Sequence, residues 1–134
     1  MKGTKTEMSK YEEVAALRAD TQVHYNCCQS VLVPFCEECG LSREQAYTLG
    51  AHFGSGMKHG STCGAVTGAL MVLGLSGADG QASAELLRRF KENNQVLDCA
   101  NLLRLAKDRG EERKPHCDRM VFEAVEILEG LLGE

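Results

Sequence analysis

Tryptophan is absent, proline occurs only twice, and aromatic residues make up just 5% of this 134-residue chain. The scarcity of proline, with 43% apolar and 25% charged residues, excludes the proline-rich and charge-dominated compositions of disordered chains. A chain of this length can bury one core, so one helical domain over 1–134 is expected, with 1–7 as a flexible tail. Long apolar runs are also missing. The longest, Gly64 to Leu75, has 12 residues, against the roughly 18–20 that cross a bilayer, so no membrane span is expected. There is no surplus of basic charge either: the formal charge is -4, the pI is near 5.6, and Lys and Arg are scattered among Glu and Asp. Without a continuous basic face for phosphates, nucleic acid is not expected as a partner. The opening MKGTKTEMSKYEEV lacks the apolar core of a signal peptide, which points to a cytoplasmic location.

Strand-like alternation, internal repeats and low-complexity tracts are absent too, and what is present is helical rhythm. Met8 to Arg18 carries a 3.6-residue spacing behind Ser9, with Glu12 at the capping-box position. Asn26 to Cys39 (NCCQSVLVPFCEEC) reads as a helix ended by Gly40, with a bend or break expected at Pro34. A further helix begins at Ser42 with Gln45 as its box partner, burying Ala46, Leu49 and Phe53 and ending at glycines 54, 56 and 60. From Cys63 to Leu73 nearly every residue is small or apolar, which leaves no solvent face. Ala82 to Asn93, Cys99 to Lys107 and Cys117 to Leu132 complete the set, with Asp108 to Lys114 as a solvated connection. The expectation is an all-α single helical bundle of about six helices, around a central apolar helix starting at Cys63.

Seven cysteines (27, 28, 36, 39, 63, 99 and 117) are many for a reducing compartment, and their odd number argues against a fully paired disulfide framework. Buried cysteines usually act as small hydrophobes, so position decides which of these carry chemistry. Asn26-Cys27, Thr62-Cys63 and Asp98-Cys99 each read as a cap followed by the first helical residue, and His116-Cys117 opens the last helix. Helix N-termini present unpaired N–H groups and the positive end of the macrodipole, which favour a thiolate. Glycines 54, 56, 60 and 64 leave backbone open around Cys63, and Lys58 and His59 add positive charge, so Cys63 is the expected attacking thiolate.

These residues resemble the C-GCAxxG-C-C family, described as redox-active by its four cysteines and a CGAxxG motif. CGAVTG at 63–68 fits that motif, and the resemblance runs from about Asn26 to the C-terminus. Carried over, the four cysteines are Cys27, Cys63, Cys99 and Cys117, with Cys27 taken over Cys28 because it follows Asn26. The resemblance implies a small helical protein with a redox role, and it names no substrate or redox partner.

Three functions stay open. In the first, a thiol-type oxidoreductase, these cysteines cycle between dithiol and disulfide. In the second, Cys27, Cys63, Cys99 and Cys117 are ligands of a metal ion or iron–sulfur cluster as cofactor, although their wide separation is unlike compact cluster motifs. In the third, the chain is a helical assembly module, with Gly64, Gly68, Ala65 and Ala69 spaced for tight packing within one chain or across a homodimer. FCEEC at 35–39 closes a helix beside two carboxylates, which disfavours a thioredoxin fold, and one C-x-x-C is short of a closed zinc site. His24, His52, His59 and His116 are candidate proton donors. GSGMKHG departs from the dinucleotide fingerprint and follows no strand, so dinucleotide binding is not expected.

Overall fold

Three of the helix starts follow directly from short-range hydrogen bonding. In the computed structural model, which describes residues 9–133, Ser9, Asn26 and Ser42 each accept from the backbone N–H three residues on. Glu12, Gln29 and Gln45 return the bond to the cap backbone. These boxes open α1 (Lys10–Ala19), α2 (Cys27–Cys36) and α3 (Arg43–Gly50). They are followed by α4 (Gly64–Leu75), α5 (Gly80–Asn94), α6 (Cys99–Asp108) and α7 (Arg113–Leu132). Seven α-helices, a 3-10 turn at Glu37–Cys39 and a π turn at Gly56–Gly60 make the described residues all-α. The expected tail at 1–7 and helix start at Met8 lie outside the described residues.

The core gathers around two helices. Nine of the ten residues of α2, Cys28 to Cys36, are buried, so α2 is more enclosed than the helix expected at the centre. The apolar α4 packs on α2, α5 and α7 but keeps one side partly open, and Leu75 is exposed. Glycine lets α2 and α4 approach: a Cβ on Gly68 would lie 2.6 Å from the carbonyl oxygen of Cys28, and one on Gly64 3.2 Å from the Cβ of Cys27. Phe90, Leu32, Leu73, Leu86, Met120 and Leu128 fill the remaining space.

Several boundaries differ from expectation for identifiable reasons. Pro34 does not break α2, which continues to Cys36 and tightens into the 3-10 turn before Gly40 takes a φ of 88°. Helix α3 stops at Gly50, and Leu49 is exposed rather than buried. Helix α7 starts four residues before Cys117, so Arg113 and Lys114 are helical and not part of a solvated connection. Pro115 falls in its first turn, where a missing N–H costs nothing.

Between α3 and α4 the chain winds against its preferred hand. Ser55, Met57 and Lys58 have φ values of 53°, 56° and 68°, each costing about 1–2 kcal/mol in a non-glycine residue. The turn is closed by the bond from the Ser61 N–H to the Gly56 carbonyl, 2.9 Å.

Candidate functional site

The helix starts converge on one cavity. An isolated antiparallel bridge between Thr62 and Asp98 holds the beginnings of α4 and α6 side by side. The Cys63 N–H donates to the Leu97 carbonyl at 2.8 Å, and the Cys99 N–H to the Ser61 carbonyl at 2.6 Å. Asn26 caps α2 and also donates from Nδ2 to the Gly50 carbonyl at 3.0 Å, which fixes Cys27 against the end of α3. Helix α7 supplies Cys117. Cys27, Cys63, Cys99 and Cys117 thereby line a single cavity of about 290 Å³, together with Arg18, His24, Arg113 and His116.

The other cysteines stand elsewhere. Cys28, next to Cys27, turns into the core with Sγ 3.8 Å from the sulfur of Met71. Cys36 is buried at the opposite end of α2, about 14 Å along its axis from Cys27. Cys39 lies 3.6 Å from the Ser76 hydroxyl. All seven are free thiols. Among the histidines, His116 lines the cavity wall and His24 its rim, whereas His52 and His59 are exposed and not part of the lining.

The four cavity thiols are not equivalent. Cys63 is itself the N-cap of α4, with Thr62 committed to the bridge rather than to capping. At 5% exposure, burial pushes its thiol up to about 11 even though the Ala65 and Val66 amides favour the thiolate. Burial thus opposes ionisation of Cys63, the residue expected from sequence as the attacking thiolate. Burial also raises Cys99, and Asp98 adds to the shift. Cys27 and Cys117 are electrostatically coupled: the neighbouring Cys27 thiol is the main influence holding Cys117 below the ordinary thiol range, and Cys117, together with burial, holds Cys27 above it. The guanidinium groups of Arg113 and Arg18 add to the stabilisation of the Cys117 thiolate. Cys117 sits in the second turn of its helix, so side chains and not a helix terminus make it acidic.

The two arginines are held differently. Arg18 is fixed by Asp118 at 2.7 Å, the Tyr25 carbonyl at 3.0 Å and the Ser30 hydroxyl at 3.2 Å. Lys114 shares Asp118 at 2.8 Å. Arg113 donates to the Ser55 hydroxyl at 3.2 Å, and among the described residues no carboxylate pairs with it. Sequence reading passed over both arginines, although the i, i+4 spacing from Arg113 to Cys117 would have placed that pair on one face had the helix start been recognised. His116 is 2% exposed, and its Nδ1 stands 3.6 Å from Glu111 Oε1, too far for a hydrogen bond, so it is buried without a partner. Among the described residues, no group of three or more His, Cys, Asp or Glu side chains converges as a metal-ligand set.

No helix among the described residues is long and apolar enough to cross a membrane. No curated protein and no solved structure shows a significant match to the chain. The family model described as "Putative redox-active protein (C_GCAxxG_C_C)" matches residues 25–131, which span all four cavity cysteines, and the chain belongs to that family.

Proposed function

We propose that the protein is a thiol–disulfide redox protein in which Cys117 is the attacking thiolate and Cys27 the resolving thiol. Cys63 and Cys99, on helix starts joined by the Thr62–Asp98 bridge, are a second pair on the same cavity. The observation that carries this reading is that Cys27 and Cys117 line one cavity together with Arg18 and Arg113. An attacking thiol needs a substantial thiolate fraction, and a resolving thiol within reach must stay protonated until it is used.

The chemistry balances without another group. The Cys117 thiolate attacks one sulfur of a substrate disulfide, forming a mixed disulfide and expelling the first substrate thiolate. That thiolate takes up the Cys27 proton. Cys27 then attacks the Cys117 sulfur, closing the intrachain disulfide and expelling the second substrate thiolate. Two electrons pass from the protein dithiol to the substrate disulfide.

Alkylation of the reduced protein across a pH series, followed by peptide mapping, tests the assignment. Cys117 should be labelled first, with its transition below the ordinary thiol value of about 8.5, while Cys63 resists labelling at neutral pH. Mild oxidation should remove thiols in pairs within one chain, give a Cys27–Cys117 peptide and form no covalent dimer. Four cavity thiols that titrate ordinarily and stay unpaired on oxidation would falsify the proposal.

A further inference from the structure

The cavity carries information about what the dithiol acts on. Its volume of about 290 Å³ lies at the small end of ligand pockets, which span about 300–1,000 Å³. Leu102, Leu103 and Met120 give it apolar walls. Of the three cations on its lining, Arg18 and Lys114 share the Asp118 carboxylate, and Arg113 has no carboxylate partner among the described residues. Arg113 also stands one helical turn before Cys117 on the same face of α7, and both line the cavity. One unpaired guanidinium thus stands beside the sulfur that begins the exchange.

We propose that the substrate is a small disulfide bearing a carboxylate, bound with the carboxylate on Arg113 and its sulfur–sulfur bond against Cys117. This rests on the dithiol reading above and narrows it. A guanidinium presents a fork of donors that matches a carboxylate, so it fixes orientation as well as charge. A peroxide would leave most of this volume unused. A folded protein's disulfide would have to enter a recess of small-molecule size. The protein's formal charge of -4 disfavours anions at long range, so any preference for them must come from this local group.

The test follows oxidation of the reduced protein by three small disulfides: dithiodipropionate with two carboxylates, neutral bis-hydroxyethyl disulfide, and cationic cystamine. Free thiols and mixed-disulfide masses are measured at low ionic strength. Dithiodipropionate should be at least about fivefold more efficient than the neutral disulfide, mainly through a lower half-saturating concentration, and cystamine should be slowest. Arg113→Gln should slow every disulfide, because the guanidinium also favours the Cys117 thiolate, so the ratio between substrates is the readout. That ratio should fall to about one in Arg113→Gln and persist in Arg113→Lys. Equal efficiencies in the parent protein, a preference for cystamine, or an unchanged ratio in Arg113→Gln would overturn the substrate inference and leave the dithiol reading standing. Failure of all three disulfides to oxidise the Cys27–Cys117 pair would remove both.

Discussion

At the scale of single residues, His116 makes a prediction independent of the sulfur chemistry. Burial lowers its pKa, the nearby Glu111 carboxylate only partly opposes this, and its Nδ1 is unpartnered. Below about pH 6.5 the unfolded chain binds a proton at this position that the folded chain refuses. Stability therefore rises with pH through the window just below 6.5 and falls as acid is added. Urea unfolding at pH 5 and pH 7 should show that loss in the parent protein and a smaller one in His116→Phe, which fills the site without a titratable nitrogen. Sequence reading named this histidine as a candidate proton donor, but its isolation depends on Glu111 stopping short of it, a tertiary detail with no local signature. The ranking of the cavity thiols was hidden for a related reason. Open glycine backbone around Cys63 suggested access, yet other atoms of the chain stand 3.0 Å or less from where each of those glycines would carry a Cβ, and Cys63 keeps only 5% exposure at the cavity wall.

Among the elements, the clearest sequence signals were those confined to a few neighbouring residues. Capping boxes at Ser9 and Ser42 and the cap at Asn26 fix helix starts within one turn, and all three form, Asn26 with a box through Gln29 that the sequence reading had not named. The start of α7 was missed because Glu112 makes no side-chain cap bond and the preceding residues are uniformly polar. The contact of α2 with α4 was legible only in part, since small residues announce a close approach without saying which helix approaches. Two glycines of α4 should accordingly respond in opposite directions to the same change. Gly68→Ala should destabilise the protein by about 1–3 kcal/mol, because its Cβ would press on the Cys28 carbonyl. Gly74→Ala, with nothing within 4 Å, should stabilise it by about 0.5–1 kcal/mol through helix propensity alone. Chemical denaturation of both variants measures the contrast.

For the whole molecule, apolar periodicity sufficed to announce an all-α fold, because each helix must bury one stripe. Which helix ends meet was beyond it: Cys27 and Cys117 are 90 residues apart, and only the packing of α7 across α2 unites them. That separation has a thermodynamic outcome under the proposed function. A disulfide closing so long a loop removes much of the entropy of the unfolded chain, worth about 4–5 kcal/mol if the native geometry accepts the bond without strain. The oxidised monomer should therefore melt above the reduced one in calorimetry without reductant, with the gain abolished in Cys27→Ser. Equal melting temperatures would place the oxidised bond elsewhere.

The reversed winding at Ser55–Lys58 bears on how such a change of state is felt. An L-amino-acid chain coiled leftward over three non-glycine residues is above its local minimum, and it is restrained at Gly56, at Ser61 and through the Ser55 hydroxyl on Arg113. The guanidinium thus has two obligations, a hydrogen bond to the loop and an electrostatic pull on the Cys117 thiolate. Under the proposed function, Cys117 gives up its negative charge on forming a disulfide, one of these obligations lapses, and the torsion wound into the neighbouring backbone is where the change of redox state would be felt mechanically.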